Sequence, residues 1–416
     1  MSGKLLLTTR SAIEDLSAGL LAVSPRDVRD AFFNKGYAGL ALAHAVLESP
    51  CPGRGHLDRA RSLLLRSFRY LSTHQAHFGF YDGFSGIAWV VEHLSKLGTL
   101  GISGDANSAI DDVLGILLQR RQPWVSPYDL GDGLVGLAVY LLERMPRRSA
   151  RVLLARVVDR LEETSEPHGS GITWRSRPEW VTSRARAALT AGNLAYPSWN
   201  LGLANGICGV IAVLAAIHEA GISTRRVERL LKGAVAWLLE HRLPSNSQSC
   251  FPGLVRRGVT PDPARTAWCY GDPGVATALL AAARAIRAPE WEHEAISVAL
   301  EAARRPPNQT GVIDGGLCHG SAGLAHVYHR LYRATGNRLF AVAARNWIKR
   351  TLAFRRPGGG IAGFFAWSRG YAPPPPWRSV PGFLRGAAGI VLALLAATDS
   401  QPPDWDRVLL LSTLHS

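Results

Sequence analysis

Three residues with zinc-ligand side chains stand at matching positions in two segments of the chain. Cys269 lies two residues before Gly271, and Cys318 lies two residues before Gly320, with His319 between them. Two thiolates and one imidazole are a donor set that suits Zn²⁺. Three protein ligands leave one tetrahedral position open, as in a catalytic site. The pattern predicts one zinc ion per chain, held by these residues and used to activate a thiol.

Spacing alone leaves a second interpretation open, in which Cys269 and Cys318 are buried core residues and His319 caps a helix. Two charged residues lie at related places, Asp129 before a further glycine pair and Arg265 four residues before Cys269, one turn away if that segment is helical. A charge beside an apolar helix is costly unless it is paired or used. Both are therefore candidate site residues, with an ordinary surface loop as the alternative.

Seven Gly-x-x-Gly units, each followed by an apolar run, organise the chain. Successive units are 47 to 73 residues apart, which leaves room for two helices and two loops each. The pairs are Gly36/Gly39, Gly83/Gly86, Gly133/Gly136, Gly206/Gly209, Gly271/Gly274, Gly320/Gly323 and Gly386/Gly389.

The apolar runs predict buried helices, and the half-polar stretches between them predict outer helices. Residues 57–71 and 222–241 have helical apolar stripes, and Ser223 or Thr224 would cap the second helix. Seven such pairs predict an all-α fold, an (α/α)7 double-ring toroid with an inner and an outer ring of helices. We expect the glycines to permit close approach and tight turns, with unpaired helix N–H groups pointing into a shared cavity.

The longer steps mark insertions, not additional domains. Residues 166–200, which include Trp174, Trp180 and Trp199, predict an irregular or short-strand insertion on the rim of the toroid. Residues 358–360 (Gly-Gly-Gly) and 373–376 (four Pro) predict loop. We therefore expect residues 1–416 to form a single domain.

Composition points to a protein of the cytoplasm. The chain is 47% hydrophobic with 12 Trp, so a large core is available. No apolar run approaches the roughly 18 residues of a membrane span, and charged residues interrupt the N-terminal segment. Five scattered Cys make a poor disulfide framework. These features predict a soluble, unexported protein.

The net charge of +15 comes mostly from Arg. It fits either a solubilising surface or attraction to an acidic partner such as a peptide. Because the basic residues form no long block and no nucleic-acid motif is present, no nucleic-acid partner is predicted.

The sequence resembles the lanthionine synthetase C-like (LanC) cyclases over residues 36–395. Three segments carry the resemblance: 268–274 (Trp-Cys-Tyr-Gly-Asp-Pro-Gly), 318–320 (Cys-His-Gly) and 382–389 (Gly-Phe-Leu-Arg-Gly-Ala-Ala-Gly). The resemblance implies an (α/α)7 toroid with zinc on two Cys and one His. It implies Michael-type addition of a peptide Cys thiol to dehydroalanine or dehydrobutyrine, which forms lanthionine or methyllanthionine thioether rings.

The resemblance also implies a biological setting, that of a stand-alone class I cyclase in lanthipeptide (lantibiotic) biosynthesis. Its substrate would be a dehydrated precursor peptide with a leader and a Ser/Thr/Cys-rich core. The implied partners are a separate dehydratase and a transporter, within a membrane-associated synthetase complex to which a cytoplasmic cyclase is peripheral.

The resemblance also matches individual residues of this sequence to active-site residues of the family. Arg265 matches an active-site Arg that would stabilise the enolate oxygen. Asp129 matches an active-site Asp, and Tyr270 matches the residue after the first zinc Cys. Asn205 replaces the family His assigned to proton transfer, and an amide cannot shuttle a proton. Position 208, often Pro in the family, is Cys here.

The Asn205 replacement keeps a second function open, that of an altered or non-catalytic family member that binds a thiol or a modified peptide. Two other α/α toroids fit the sequence less well. A prenyltransferase-like zinc barrel normally has an Asp ligand and lacks these glycine units. A glycan hydrolase needs two cavity carboxylates. Apart from Asp129, only Asp82, Asp132 and Asp272 adjoin the units, which is not a convincing pair.

Overall fold

A computed structural model describes residues 3–28, 30–101, 104–177, 198–367 and 376–412. The chain divides into two compact units. The first comprises Met1–Ile110, Val312–Val408 and His415–Ser416, and the second comprises Asp111–Gly311 and Leu409–Leu414. Within the described residues, no helix is both long enough and apolar enough to cross a membrane.

The first unit is a set of helical hairpins. Its helices are α1 (Gly3–Ala22), α2 (Tyr37–Glu48), α3 (His56–Thr73) and α4 (Phe84–Lys96), then α12 (Ser321–Thr335), α13 (Arg338–Ala353) and α14 (Ala387–Thr398). Helices α12, α14, α2 and α4 pack side by side in that order. On their outer side, α13 packs on α12, α1 on α14 and α3 on α2. Strands β6 (Ala366–Trp367) and β7 (Trp377–Arg378) form a short hairpin, and a 3₁₀ helix spans Trp405–Leu409.

The second unit repeats this plan. Its helices are α5 (Ser108–Leu118, which starts in the first unit), α6 (Leu134–Glu143), α7 (Arg148–Thr164), α8 (Ile207–Glu219), α9 (Thr224–Glu240), α10 (Asp272–Ile286) and α11 (Pro289–Arg304). Helices α6, α8 and α10 pack in a row, and α7, α9 and α11 each cover one of them. A 3₁₀ turn spans Pro307–Gln309.

The predicted insertion contains short strands, as its composition indicates. Strands β1 (Glu166–His168) and β2 (Gly171–Thr173) pair with each other. Strands β3 (Arg175–Ser176), β4 (Ser198–Asn200) and β5 (Leu254–Arg256) form an antiparallel sheet in the order β3-β4-β5. Trp180 and residues 373–375 lie outside the described residues.

Each Gly-x-x-Gly unit begins an inner helix. The first glycine of every pair is the N-cap residue of α2, α4, α6, α8, α10, α12 or α14. A Cβ on Gly39 would lie 2.0 Å from the Phe33 carbonyl oxygen, and one on Gly323 would lie 1.7 Å from that of Leu317. The preceding loop therefore folds tightly over the helix start, and only a residue without a side chain fits.

The expectation of unpaired N–H groups is wrong at the starts of α2, α6, α12 and α14. The N–H groups of Leu134, Val135 and Gly136 donate to the carbonyls of residues 127, 128 and 129. The starts of α2, α12 and α14 repeat this seven-residue step. At these four starts the loop accepts hydrogen bonds from the first turn that it covers, so little N–H capacity is left there for an anion.

The loops before the inner helices are joined by backbone hydrogen bonds. In the second unit, Leu130 N–H donates to the Ala204 carbonyl, and Ala204 N–H donates to the Cys269 carbonyl. In the first unit, Cys318 N–H donates to the Leu384 carbonyl at 2.7 Å and Phe383 N–H to that of Asn34. The residues of each loop are therefore held in register with those of its neighbours.

The outer helices follow the predicted stripes with two differences. In α9, Val227, Leu230 and Leu238 are buried as expected, but Ser223 has φ 48° and makes no side-chain cap. In α3, Ala60 and Leu64 are buried, whereas Phe68 is 40% exposed. Burial follows the neighbour that each helix meets, which a stripe alone does not specify.

Candidate active site

Cys269 lies in a rigid loop before α10. The neighbouring Trp268 is buried, and its indole N–H donates to the Leu409 carbonyl at 3.0 Å. Gly271 has φ 122°, which favours glycine, and a Cβ there would meet the Arg265 carbonyl at 1.9 Å. The thiol of Cys269 is held on a buried, well-anchored backbone with 5% exposure.

Cys318 and His319 lie in the loop before α12, and a buried carboxylate organises that loop. Asp314 Oδ1 accepts from Gly316 N–H at 3.0 Å, and its Oδ2 accepts from Trp367 N–H at 2.9 Å. Its carbonyl accepts from Ser321 N–H. The sequence prediction missed Asp314, although an acidic residue six positions before the first glycine of a unit was a signal for it.

The predicted ligands are together in the structure. The ligand atoms of Cys269, Cys318 and His319 all lie within 4.8 Å of one another. Two thiolates about 2.3 Å from one zinc ion in a tetrahedral site are roughly 3.8 Å apart. The donor set and its spacing therefore fit one zinc ion, and the described residues contain no other such group of three.

Three further predicted residues form a hydrogen-bonded chain in the second unit. Tyr270 O–H donates to Asn205 Oδ1, and Asn205 Nδ2 donates to Asp129 Oδ2, both at 3.3 Å. Asn200, at the end of β4, donates to the Tyr270 hydroxyl at 2.9 Å. Sequence reasoning missed Asn200. Its only signal was its place six residues before the first glycine of the fourth unit.

The carboxyl pKa of Asp129 lies above its ordinary value. Its pKa is raised to about 6, chiefly by burial and also by the nearby Asp132 carboxylate, while hydrogen bonds from Asp132 N–H and Asn205 oppose the rise. Burial disfavours the charged form, so a shift of this kind leaves part of the Asp129 population protonated near neutral pH. The carboxyl can therefore act as a proton donor.

Arg265 is placed differently from the prediction. Residues 264–271 contain no helix, so Arg265 is not one helical turn from Cys269. Its guanidinium donates to the Gly311 carbonyl at 2.6 Å, and its Nε has no partner in the described part of the chain. No described hydrogen bond joins it to Asp129, Asn205 or Tyr270.

Four of the remaining Cys and His residues lie outside the candidate ligand group and are buried or half-buried. Cys208 is fully buried in α8, where burial raises its thiol pKa. Cys250 donates to Glu301. His326 lies against Trp405 and pairs with the buried Asp406 at 2.9 Å. Burial lowers the pKa of His329 to about 4. His326 is therefore a packed side chain that pairs with a buried carboxylate.

Comparison with known proteins decides the family. A family model described as lanthionine synthetase C-like protein matches residues 28–410, well over half of the chain. The chain belongs to this family. This membership agrees with the resemblance carried by the Cys269 and Cys318 segments.

Individual family members are distant in sequence. Nisin biosynthesis protein NisC of Lactococcus lactis subsp. lactis is 24% identical over 334 residues, covering 76% of this chain and 77% of NisC. Glutathione S-transferase LANCL1 of Danio rerio is 25% identical over 357 residues, covering 80% of this chain and 79% of LANCL1.

Among solved structures, nisin cyclase has a TM-score of 0.77 to this chain at 20% identity. The match covers 96% of this chain and 97% of nisin cyclase. At this identity the likeness establishes the fold. The helical hairpins and the fold shared with this LanC-like structure confirm the predicted fold class, an α/α toroid.

Proposed function

We propose that this chain is a zinc-dependent lanthipeptide cyclase. It would add peptide Cys thiols to dehydroalanine or dehydrobutyrine and so form thioether rings. The observation that carries the proposal is the grouping of Cys269, Cys318 and His319. The proposal treats residues 1–416 as one domain that acts in the cytoplasm on a dehydrated precursor peptide, after a separate dehydratase and before export by a transporter.

A bound zinc ion would supply a Lewis acid that keeps the peptide Cys as its thiolate. The sulfur attacks the β-carbon of the dehydro-residue, and the π electrons move to the carbonyl oxygen to give an enolate. The α-carbon must then receive one proton. The residues of the second unit perform this last step in our account.

Asp129 is the proposed proton donor. Its raised pKa keeps a protonated fraction available, and general acids with a pKa near the working pH are the most effective. Asn205 donates to one carboxyl oxygen and accepts from Tyr270, so it fixes the orientation of the Asp129 carboxyl. In this chain, the amide orients a neighbouring acid where the family has a His. Arg265 would need to leave the Gly311 carbonyl to stabilise the enolate oxygen.

The test uses a synthetic peptide with one dehydroalanine and one Cys four residues after it. Cyclisation leaves the mass unchanged, so free thiol is counted by alkylation. We expect wild-type protein and Cys51→Ala to remove the thiol without a mass change, while Cys318→Ala leaves it in place. Cys51 is buried outside the ligand group and serves as the matched control. Thiol that persists with zinc-loaded wild-type protein contradicts the proposal.

A second candidate function rests on the LANCL1 relative, whose name states a glutathione S-transferase activity. The same residues would then join a small thiol to an electrophilic acceptor in a separate molecule. Incubating the dehydroalanine peptide, with its Cys replaced by Ser, together with glutathione separates the two functions. A transferase increases the peptide mass by one glutathione, whereas a cyclase leaves this peptide unmodified.

A further inference from the structure

The segment directly before α10, residues 264–271, carries three of the candidate site residues and is called the site loop here. Arg265, Cys269 and Tyr270 all lie on it. The site loop contains neither helix nor strand. The regular backbone hydrogen bonds of secondary structure therefore do not hold it, and other contacts must keep these three residues in place.

One guanidinium group, that of Arg305, binds both ends of the site loop. Its Nη1 donates to the Ala264 carbonyl at 3.2 Å and to the Thr266 hydroxyl at 2.7 Å. Its Nη2 donates to Asp272 Oδ2 at 2.8 Å. Ala264 and Thr266 flank Arg265 at the start of the loop, and Asp272 directly follows its end. A single side chain therefore holds the two ends of the loop together.

Asp272 extends this connection to a second segment of the chain. Its carboxylate also accepts from the N–H groups of Cys250 at 3.0 Å and Phe251 at 3.1 Å. The side chain of Asp272 has no exposed surface, and that of Arg305 is 6% exposed. The pKa of the Asp272 carboxyl is raised, chiefly by burial, while the two N–H groups and the Arg305 guanidinium oppose the rise. Arg305 thus stabilises the charged carboxylate in a buried place.

The backbone of Arg305 is fixed from outside the site loop. Arg305 directly follows α11, the helix that covers α10, and its N–H donates to the Ala302 carbonyl. Pro306 and Pro307 come next, and a proline fixes its own φ and restricts the residue before it. The guanidinium therefore reaches the site loop from a firmly placed backbone.

The three acceptors of Arg305 require the geometry of a guanidinium. Arg presents five N–H donors in a planar fork, so two of its nitrogens can bind acceptors on different segments at once. A Lys ammonium keeps the charge but is a compact group at the end of a flexible stem. Lys at position 305 would therefore keep a cation near Asp272 and lose the connection to the start of the loop.

We propose that Arg305 is a positioning residue of the candidate active site, which holds Cys269 and Arg265 in place by closing the site loop on Asp272. The inference rests on the proposed function for the zinc ion that Cys269 would bind. A ligand residue whose loop is already ordered loses less conformational freedom when the metal binds, so zinc binds more tightly. Arg305 acts through the loop and not on the reacting atoms.

The test compares zinc affinity and amide hydrogen exchange in wild type and Arg305→Lys. Competition with a chromophoric chelator gives the zinc affinity, and mass spectrometry of the metal-free protein gives the exchange rates. We expect Arg305→Lys to bind zinc about tenfold more weakly, the lower end of the losses seen for groups that orient metal ligands. The amide groups of residues 264–271 should exchange faster, because the loop opens more often.

The matched control is a second buried Arg–Asp pair of the same unit. Arg144 Nη2 lies 2.6 Å from Asp111 Oδ2, and neither residue is on the site loop. Arg144→Lys should lower the urea midpoint of unfolding, as Arg305→Lys does, and keep wild-type zinc affinity and exchange at residues 264–271. Equal losses of zinc affinity in the two variants would mean a general effect of reduced stability and would overturn the inference. Wild-type zinc affinity and exchange in folded Arg305→Lys would overturn it as well.

A milder substitution, Thr266→Val, provides the test if Arg305→Lys does not fold. It keeps every charge and removes one acceptor of the Arg305 guanidinium. Thr277→Val is its control, because the buried Thr277 hydroxyl donates within α10 to the Gly274 carbonyl. We expect zinc affinity to fall about threefold in Thr266→Val, the effect of one hydrogen bond, and to stay unchanged in Thr277→Val. Equal zinc affinity in the two variants would reject the positioning role.

Failure of this inference is distinguishable from failure of the proposed function. If wild-type protein binds no zinc, the cyclase proposal fails, and faster exchange at residues 264–271 in Arg305→Lys but not in Arg144→Lys still supports the positioning role. If Arg305→Lys cyclises the dehydroalanine peptide with wild-type zinc affinity and exchange, the cyclase proposal stands and the positioning role is rejected.

Discussion

By the resemblance to the LanC cyclases, Asn205 stands at the position of a His assigned to proton transfer, and its contacts indicate a different role. The amide lies between Tyr270 and Asp129 and bonds to both. It cannot carry a proton, but it can hold a carboxyl that does. Asp129, with a pKa raised to about 6, is suited to this role.

The pH dependence of cyclisation follows from this assignment. Asp129 donates only when protonated, so the rate of the protonation step should fall as pH rises through about 6, up to tenfold per pH unit above it. Asp129→Asn should lower the rate of cyclisation by about a hundredfold and abolish this fall in rate with rising pH.

Asn205→His should restore the rate of cyclisation above pH 7 by supplying a second acid. The measurement is thiol loss from the dehydroalanine peptide between pH 5 and 9, with zinc content checked at each pH. An unchanged profile in Asp129→Asn would assign the proton to another group.

The glycine pairs set how closely each inner helix packs against the loop before it, because a side chain would not fit between them. In six of the seven units, a Cβ on the second glycine would meet a carbonyl oxygen of the preceding loop, as Gly86 would meet that of Phe80. Because each loop folds closely over its helix start, it also forms backbone hydrogen bonds with the loop of a neighbouring hairpin. Loss of one glycine should therefore disturb a whole loop.

Gly86→Ala tests this at a site remote in sequence from the candidate ligands. Its Cβ would lie 1.9 Å from the Phe80 carbonyl oxygen and 2.9 Å from Phe33 Cβ. We expect a loss of about 3 kcal/mol in the free energy of unfolding, measured by urea denaturation. Gly115→Ala is the control, because its Cβ would meet only Leu153 at 3.8 Å. Being helical, Gly115→Ala should gain about 0.5–1 kcal/mol. Equal effects would contradict the steric account.

The sequence was informative about the inner helices because each start is marked by an obligatory Gly pair and an apolar run. The sequence was less informative about side chains that hydrogen-bond to the backbone of loops. Asp314 and Asn200 act on loops whose course is not a periodic pattern, and their place six residues before the first glycine of a unit was the only signal for them. The pairing of α1 with α14 joins the two ends of the chain and leaves no local signal.

At the scale of the whole molecule, the net charge of +15 at pH 7 rises as carboxylates are protonated. Repulsion between like charges therefore lowers the stability of the folded protein under acid conditions. A buried histidine pair in the first unit adds to this. His44 Nδ1 and His56 Nδ1 are 2.8 Å apart, and Ser17 bonds His56 Nε2 at 2.7 Å. Burial, with smaller effects of His56 and Arg59, lowers the pKa of His44 to about 3.

Because the folded pKa of His44 is below the unfolded value, its contribution to stability is complete above about pH 6.5 and is lost as pH falls toward 3. Between pH 7 and pH 5 we expect His44 to account for a loss of about 2 kcal/mol in the free energy of unfolding. His44→Asn should flatten this dependence, whereas a control substitution at the exposed His74 should not. Parallel pH profiles for wild type and His44→Asn would contradict the assignment.

The central claim is that Cys269, Cys318 and His319 hold one zinc ion. The most direct test is elemental analysis of purified protein by mass spectrometry, with wild type, Cys318→Ala and the control Cys51→Ala prepared in parallel. The account predicts about one zinc per chain in wild type and in Cys51→Ala, and almost none in Cys318→Ala. Wild-type protein without zinc, or full zinc retention in Cys318→Ala, would contradict it.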